Sequence, residues 1–319
     1  MTQNQPHPSA DGILAASKAI DPVFLNSPLI EQQTANTALG VRLFAKMETL
    51  NPIRSFKGRG TDWWMQNEPA GDHPVVSASA GNFGQGLAYA GRARGRKVVI
   101  FSATTANPGK VEAMRRLGAE VRLEGADFDA AKAAARAYAE AHGCPFVEDG
   151  ALRTIAEGAG TIALEITEQL DRQAVELDAI LVPLGNGALL TGIGTWIRAK
   201  APNCKVIGIV ASNAPAMKQS WETGRLISTD TAATAADGIA VRECVPYALA
   251  CMKTTVDDVW EVSETAIREA RDFCRIHYGL VVEEAGVAGI AGLLENGMGL
   301  KGKTVATILC GGNVRADIT

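Results

Sequence analysis

The sequence predicts an α/β fold of two doubly wound domains, each with a parallel sheet. Short β-branched or apolar runs alternate with longer helical patterns along most of the 319 residues. Strands that alternate with helices in this way form parallel sheets covered by helices on both faces. The chain is long enough to divide a large core between two domains.

Periodicity and turn residues place the individual elements. The alternation of apolar and polar residues at 41–47 predicts a half-buried strand, and Asn51-Pro52 forces a turn after it. The predicted strands are 41–47, 75–78, 97–102, 120–123, 179–183, 205–210, 256–262 and 304–309. The predicted helices are 56–66, 84–94, 109–117, 127–142, 154–170, 187–199, 214–223, 264–277 and 284–294. We expect a floppy tail at 2–9. The predicted domains are 1–48, which is the tail with part of the large domain, 49–151, which is the small domain, and 152–319, which is the large domain.

Composition restricts the functional classes. Hydrophobic residues make up 47% and charged residues 21%, as in an ordinary globular protein. The net charge of −4, with both signs interspersed, argues against nucleic acid and acidic membrane surfaces as partners. No apolar run approaches the roughly 18 residues that span a bilayer, and no signal pattern opens the chain. Six scattered cysteines predict reduced thiols in a cytoplasmic protein, and the four histidines lack metal-ligand spacing.

Lys57 is the first candidate for chemistry. Ser55 suits a helix N-cap, so Lys57 would lie in the first turn of the helix at 56–66, where the dipole is positive. A positive environment favours the neutral amine, which is the form that condenses with a carbonyl compound. The alternative at this point is a solvated surface lysine.

Three further loops directly follow predicted strands, where ligands bind in such folds. Ser-Ala-Ser-Ala-Gly-Asn-Phe-Gly at 77–84 exposes backbone N–H groups and the amide of Asn82, as an anion site or simply as a tight turn. Pro-Leu-Gly-Asn-Gly-Ala-Leu at 183–189 is a glycine loop before a helix, typical of phosphate binding, but it matches no nucleotide fingerprint. Cys-Gly-Gly-Asn at 310–313 ends the last strand, where the cysteine is either functional or a packed core thiol.

These motifs together resemble a known family. Asn-Pro-x-x-Ser-Phe-Lys at 51–57, Ser-Ala-Gly-Asn at 79–82, the glycine loop and the terminal Gly-Gly-Asn resemble the pyridoxal-phosphate enzymes of fold type II, and most closely the threonine/serine dehydratase branch. Collinear matches at 109–120, 160–166, 237–241 and 282–286 extend the resemblance over about 29–313. It implies a fold like that of the tryptophan synthase β subunit, with pyridoxal 5'-phosphate in the cleft between the two domains. No appended regulatory domain is expected, because the chain ends soon after Asn313.

The resemblance also implies roles for individual residues. Lys57 would form the imine with the cofactor and move the Cα proton, and Asn82 would bind the phenolic oxygen. Glu283 would lie near the ring on the leaving-group side, and Cys310 would face the pyridine nitrogen. The other cofactor residues implied are Phe56 and Gly238 beside the ring, and Gly185, Asn186, Gly187, Ala188 and Leu189 around the phosphate. The substrate carboxylate would bind to Ser79, Ala80, Gly81 and Phe83.

Several positions depart from the family pattern. The family usually has Ser or Thr at the position of Cys310, and a thiol is a weaker donor to the pyridine nitrogen. Phe83 replaces a common histidine, and Gly-Asn-Gly-Ala-Leu replaces an all-glycine phosphate loop. Racemising members carry a serine base where this chain has Ala80. Members with a divalent-cation site carry acids where this chain has Val210 and Ala216, so we expect no metal.

The resemblance implies a lyase that eliminates water from a β-hydroxy-α-amino acid and yields a 2-oxo acid and ammonia. Threonine, serine and a bulkier substrate such as phenylserine remain open, since Phe83 and the helix with Trp63 and Trp64 would permit a large pocket. The cofactor phosphate is one candidate donor of the proton to the leaving hydroxyl. Alternatives are β- or γ-replacement, as in threonine synthase or cysteine synthase, and amino-acid racemisation. A non-catalytic cofactor-binding protein and a nucleotide-binding α/β protein are further alternatives. We expect a homodimer.

Overall fold

A computed structural model of the chain describes residues 6–68 and 71–314. Strands and helices alternate along this part of the chain. The strands are β1 (Leu29–Glu31), β2 (Arg42–Met47), β3 (Val75–Ala78), β4 (Val98–Ser102), β5 (Glu120–Leu123), β6 (Phe146–Val147), β7 (Ala179–Pro183), β8 (Lys205–Ala211), β9 (Asp258–Val262) and β10 (Thr304–Leu309). The α-helices are α1 (Ala10–Ala19), α2 (Gln33–Leu39), α3 (Lys57–Asn67), α4 (Asn82–Ala93), α5 (Pro108–Arg116), α6 (Phe128–His142), α7 (Arg153–Asp171), α8 (Ala188–Lys200), α9 (Ala216–Thr223), α10 (Pro246–Thr255), α11 (Glu264–Tyr278) and α12 (Ala288–Asn296).

The strands form two sheets. The larger has the order β1-β2-β10-β7-β8-β9, and the smaller has the order β5-β4-β3-β6. All pairings are parallel except that of β1, which runs antiparallel to β2 at the edge of the larger sheet. The predicted fold class is therefore confirmed. Neither β1 nor β6 was predicted, because three and two residues are too short to show a period.

Both faces of the larger sheet are buried. Along β7, Leu181 belongs to one apolar cluster, while Ile180 and Val182 belong to another on the opposite face. The smaller sheet divides in the same way, with Ile100 on one face of β4 and Val99 on the other. Side chains alternate across a strand, so two-sided burial requires continuous apolar runs such as Ala-Ile-Leu-Val at 179–182.

The predicted domain boundaries remain a prediction, although all four strands of the smaller sheet lie within residues 75–147. The tail expected at 2–9 falls partly outside the described residues. Where the chain is described, the expectation of a floppy tail is wrong. The Pro6 carbonyl accepts a hydrogen bond from the Tyr247 hydroxyl at 3.0 Å, and Ser9 caps α1 by accepting from the Gly12 N–H. No helix in the described ranges combines the length and apolarity that a membrane span requires.

A buried ionic network fixes helix α3. Arg59 is fully buried and donates to Glu48 at the end of β2 and to Glu165 on α7, and Lys46 of β2 also pairs with Glu165 at 2.8 Å. Removing one member of such a network leaves an uncompensated buried charge, at a cost of about 3–5 kcal/mol. The network therefore holds the first turn of α3 at the carboxyl edge of the larger sheet.

Candidate active site

Lys57 is the first residue of α3, as the sequence predicts, but the cap differs. Phe56 occupies the N-cap position without a side-chain hydrogen bond, so the prediction of Ser55 as the cap is wrong. The Ser55 backbone forms a bridge with Gly311, and its hydroxyl donates to the Cys310 carbonyl at 3.3 Å while accepting from the Lys57 N–H at 3.4 Å. The segment just after β10 thus binds Ser55, and α3 begins two residues later, at Lys57.

The amine of Lys57 faces a cavity of about 660 Å³. Its Nζ pairs with a carboxylate oxygen of Asp149 and lies 4.6 Å from the centre of the Phe56 ring and 5.8 Å from that of Phe83. The side chain is 15% exposed, so Lys57 is not the solvated surface lysine of the alternative interpretation. A cavity of this size is typical of small-molecule sites.

The loop after β3 forms one wall of this cavity. The Ser79 hydroxyl accepts hydrogen bonds from the N–H groups of Gly81 and Gly84, at 3.1 and 2.9 Å, and so shapes the loop. The Asn82 amide donates to both oxygens of Glu283, at 3.1 and 3.2 Å. The Ser79 N–H donates to the Phe101 carbonyl at 3.0 Å, whereas its hydroxyl only accepts within the loop, so the hydroxyl proton is what Ser79 can offer a substrate carboxylate.

The glycine loop after β7 forms the opposite wall. Gly187 has φ +93° and occupies the N-cap position of α8 without a side-chain bond, while the Asn186 side chain accepts from the Ala188 N–H at 3.2 Å. A Cβ added to Gly185 would lie 2.8 Å from the carbonyl oxygen of Gly238, so glycine is required where the two segments meet. The start of α8 leaves N–H groups without helical partners, which suits an anion.

Cys310 and Glu283 close the third side. The Cys310 Sγ lies 3.9 Å from the Ala285 carbonyl oxygen, and burial, with the nearby Glu283 carboxylate, raises the pKa of the thiol to about 12. Lys110 reaches in from α5, 2.6 Å from Asp237 and 3.6 Å from Glu283. Burial opposes its charge, but the two carboxylates outweigh this effect and raise the Lys110 pKa.

The cavity brings together nearly all of the residues proposed from the sequence. Ala188 is the exception, since it lies at the start of α8 behind the cavity lining. The lining includes Phe56, Lys57, Ser79, Ala80, Gly81, Asn82, Phe83, Gly185, Asn186, Gly187, Leu189, Gly238, Glu283 and Cys310. The individual roles given to these residues stay predictions.

Sequence reasoning missed several lining residues, among them Asp149 and Lys110, and it misjudged two tryptophans. Neither Asp149 nor Lys110 has a local signal in the sequence, because the ionic partner of each lies far away along the chain. Trp63 and Trp64, expected to enlarge the pocket, point elsewhere. Trp64 packs in the apolar cluster on one face of the smaller sheet, and the Trp63 indole N–H donates to Glu157 at 3.4 Å. Neither lines the cavity.

Comparison with known families identifies the class of enzyme. A family model described as pyridoxal-phosphate dependent enzyme matches residues 20–311. The chain belongs to this pyridoxal-phosphate-dependent family. A relative of the same family, an L-threonine ammonia-lyase of Thermotoga maritima, is 34% identical over 310 residues, which cover 97% of this chain and 76% of the relative. Another L-threonine ammonia-lyase, from Geobacter sulfurreducens, is 36% identical over 289 residues, covering 90% and 71%.

Solved structures of this pyridoxal-phosphate family have the same fold. The crystal structure of a threonine deaminase from the organism abbreviated T.th. superposes with a TM-score of 0.91 at 31% identity, covering 97% of this chain and 99% of that one. Maize serine racemase gives a TM-score of 0.91 at 25% identity, with 98% and 95% covered. The cofactor of the family is pyridoxal 5'-phosphate.

The residues of the cavity fit this cofactor. A primary amine, Lys57 Nζ, reaches the cavity for the aldehyde, and the start of α8 faces it for the phosphate. A Cβ added to Gly311 would lie 2.8 Å from Glu283 Oε1 and 3.1 Å from Asn82 Nδ2, so a larger residue there would displace two side chains that line the cavity. Among the described residues, no group of three His, Cys, Asp or Glu side chains could hold a metal ion.

Proposed function

We propose that this enzyme is an ammonia-lyase that removes water from a β-hydroxy-α-amino acid and releases a 2-oxo acid and ammonia. The observation that carries the proposal is the position of Lys57 Nζ, which opens into a cavity lined by the Asn82 loop and the glycine loop. The relatives named as threonine ammonia-lyases support this class of reaction and substrate.

Pyridoxal phosphate supplies an electron sink for the substrate Cα when it is bound. Lys57 would hold it covalently, and the free amine of Lys57 would remove the Cα proton as the general base. Asn82, aligned by Glu283, would orient the ring, and the start of α8 would bind the phosphate. Cys310 would face the ring nitrogen, where its buried, neutral thiol would supply no negative charge and would thereby favour prompt elimination over long-lived charge at Cα.

The proposed reaction suits several substrates, but it does not include racemisation. Serine, threonine and bulkier substrates such as phenylserine have the required β-hydroxyl group. Phe83 belongs to the buried apolar cluster of the small domain, and its ring centre lies 5.8 Å from Lys57 Nζ, so it contributes little extra width. Racemisation needs a base on the opposite face of Cα, and Ala80, where racemising members carry serine, offers none.

The test is release of 2-oxo acid and ammonia from serine, threonine, 3-hydroxyaspartate and phenylserine, with no other nucleophile present. Equal amounts of both products from at least one substrate are expected. Turnover only after addition of a thiol or another nucleophile would instead indicate β- or γ-replacement. Inversion of Cα without product release would indicate a racemase.

We also propose that the enzyme is a cytoplasmic homodimer. Support for a reducing compartment comes from the six cysteines, which are all free. Several large apolar side chains are exposed, including Met298 at 75% and Ile276 at 69%, and a partner subunit would cover such surface. Light scattering after size-exclusion chromatography would test the dimer, and a monomeric mass at micromolar concentration would contradict it.

A further inference from the structure

The carboxylates that line the cavity differ in how their oxygens are paired. Most of these carboxylates pair with neighbouring groups and so hold the walls of the cavity in place. Glu283 accepts from Asn82 and the Asn313 N–H, Asp127 caps α6, Asp129 pairs with Arg242, Glu148 pairs with Lys132 and Arg136, and Asp237 pairs with Lys110. Asp149 differs from all of these. One of its oxygens contacts the reactive amine of Lys57, and the other, Oδ1, is buried without a hydrogen-bond partner.

The backbone holds Asp149 firmly in this place. It lies two residues after Val147 of β6, which pairs with Ser77 of β3, so it emerges at the carboxyl edge of the smaller sheet. The next residue, Gly150, has φ +83°, and an added Cβ would lie only 2.6 Å from the Asn186 carbonyl oxygen. The carboxylate is therefore fixed between Lys57 and the glycine loop, in the lining of the cavity. Burial without a partner is costly for a carboxylate oxygen, so the protein itself leaves Asp149 incompletely paired at the lining of the cavity, beside the amine of Lys57.

We propose that Asp149 is a catalytic acid that protonates the leaving β-hydroxyl group, an inference that rests on the proposed function. Hydroxide is a poor leaving group, and a positioned acid typically contributes a factor of about 10²–10⁴ to such a step. Lys57 takes the Cα proton and becomes an ammonium ion in contact with Asp149, which accepts that proton.

Asp149 then delivers the proton to the β-oxygen as the Cβ–O bond breaks. The electron pair of the Cα–H bond becomes the Cα=Cβ double bond, and the pair of the Cβ–O bond leaves with the oxygen as water. Lys57 returns to the neutral amine and Asp149 to the carboxylate. The proton lost from Cα therefore ends in the water released, and the step requires no other reactant.

The test compares two leaving groups in Asp149→Asn, which keeps the shape of the side chain and removes the acid. The hydroxyl group of L-serine must be protonated to leave as water. The chloride of β-chloro-L-alanine leaves without a proton, and both substrates yield pyruvate. We expect pyruvate release from serine to fall by about 100-fold or more, and release from β-chloroalanine to stay within about fivefold of wild type. An equal loss with both substrates would overturn the proposal.

Two measurements besides turnover separate an acid from a structural support. The visible absorbance of Asp149→Asn, and borohydride reduction with peptide mapping, should still show the cofactor bound to Lys57. Cα deuterium exchange of serine in heavy water should also persist, because Lys57 remains the base. Loss of cofactor binding, or loss of exchange together with elimination, would show that Asp149 only supports Lys57 and would refute its role as the acid.

Glu148→Gln is the matched control, because Glu148 is the neighbouring carboxylate and pairs with Lys132 and Arg136 rather than with Lys57. We expect its ratio of serine to β-chloroalanine turnover to equal that of wild type. A ratio altered as strongly as in Asp149→Asn would assign the effect to general cavity charge and contradict the proposal. Wild-type enzyme that consumes β-chloroalanine but none of serine, threonine, 3-hydroxyaspartate and phenylserine would refute the proposed dehydration itself.

Discussion

Asn313 donates a hydrogen bond from its side-chain amide to Asn82 Oδ1 over 2.9 Å, although 231 positions separate the two residues. The same amide group donates to the Ile53 carbonyl at 2.8 Å, and the Asn313 N–H donates to Glu283 at 2.6 Å. The segment after β10 thereby connects the turn before Lys57 with the Asn82 loop. Because the Asn82 oxygen is occupied by Asn313, its NH₂ group is directed to Glu283 and the cavity.

Asn313→Ala should weaken cofactor binding without unfolding the protein. A hydrogen bond contributes about 1 kcal/mol, so loss of the bond that orients Asn82 should raise the dissociation constant of pyridoxal phosphate by about fivefold. Equilibrium dialysis with absorbance detection measures this constant. Asn296→Ala is the control, since the exposed Asn296 amide donates only to the Glu261 carbonyl. Unchanged affinity in Asn313→Ala would show that Asn82 is oriented without this contact.

Lys57→Ala should abolish turnover and the visible absorbance of the lysine-bound cofactor, because alanine has no amine for the imine. The cofactor should still bind reversibly, since the glycine loop and Asn82 are intact. Borohydride reduction of wild-type enzyme followed by peptide mapping identifies the labelled lysine. Label on Lys110, which also lines the cavity, would contradict the assignment of Lys57.

Substitutions of Cys310 test whether its sulfur faces the ring nitrogen. Cys310→Ser should retain most activity, because a hydroxyl fits and donates somewhat better than a thiol. Cys310→Asp should place a negative charge there, favour a protonated nitrogen and slow elimination relative to Cα proton exchange. The ratio of Cα deuterium exchange to 2-oxo acid release measures this change.

An unchanged ratio in Cys310→Asp protein of normal thermal stability would show that Cys310 does not contact the ring. If the residue is only a packed core thiol, Cys310→Asp should simply destabilise the fold, because it buries an unpaired charge. Thermal unfolding of the cofactor-free variant separates this outcome from the first.

Buried thiols should make the protein less stable at alkaline pH. Burial raises the pKa of Cys274 to about 12 from an ordinary value of 9.0, so between these values the unfolded chain binds fewer protons than the folded protein. The free energy of unfolding therefore falls as the pH rises above about 9. In Cys274→Ala, the loss between pH 8 and pH 10.5 should be smaller by about 1–2 kcal/mol in urea unfolding.

Ile267→Val is the control for that experiment, because Ile267 is also fully buried on α11 but does not ionise. It should lower stability by the same amount at both pH values. An equal pH dependence in Cys274→Ala and wild type would show that the Cys274 thiol ionises alike in the folded and unfolded states.

Activity should not depend on a divalent cation at Val210 and Ala216, the positions at which the family resemblance implies acidic ligands in other members. Both of these side chains are buried and apolar in this chain. Turnover should be the same after chelation and after addition of magnesium. A several-fold increase with magnesium alone would indicate a site elsewhere in the chain.

Much of the site could be predicted because its signals are local. Three features of the site can each be recognised from a few consecutive residues: a lysine in the first turn of a helix, a small-residue loop after a strand and a glycine loop before a helix. Lys57, Asn82 and the segment from Gly185 to Leu189 were therefore candidates from the sequence, and all of them except Ala188 line one cavity. The strand–helix alternation predicted parallel sheets, which bring such loops to one edge.

The tertiary structure alone decided which charged groups meet. Lys57 pairs with Asp149, 92 positions away, and Lys110 with Asp237, 127 positions away. No spacing within the sequence signals these pairs, because they form only when the fold brings distant segments together at the cavity. The error on the tryptophans has the same cause. The sequence predicts α3 as a helix, but the burial of Arg59 between Glu48 and Glu165 decides which face of the helix turns to the cavity.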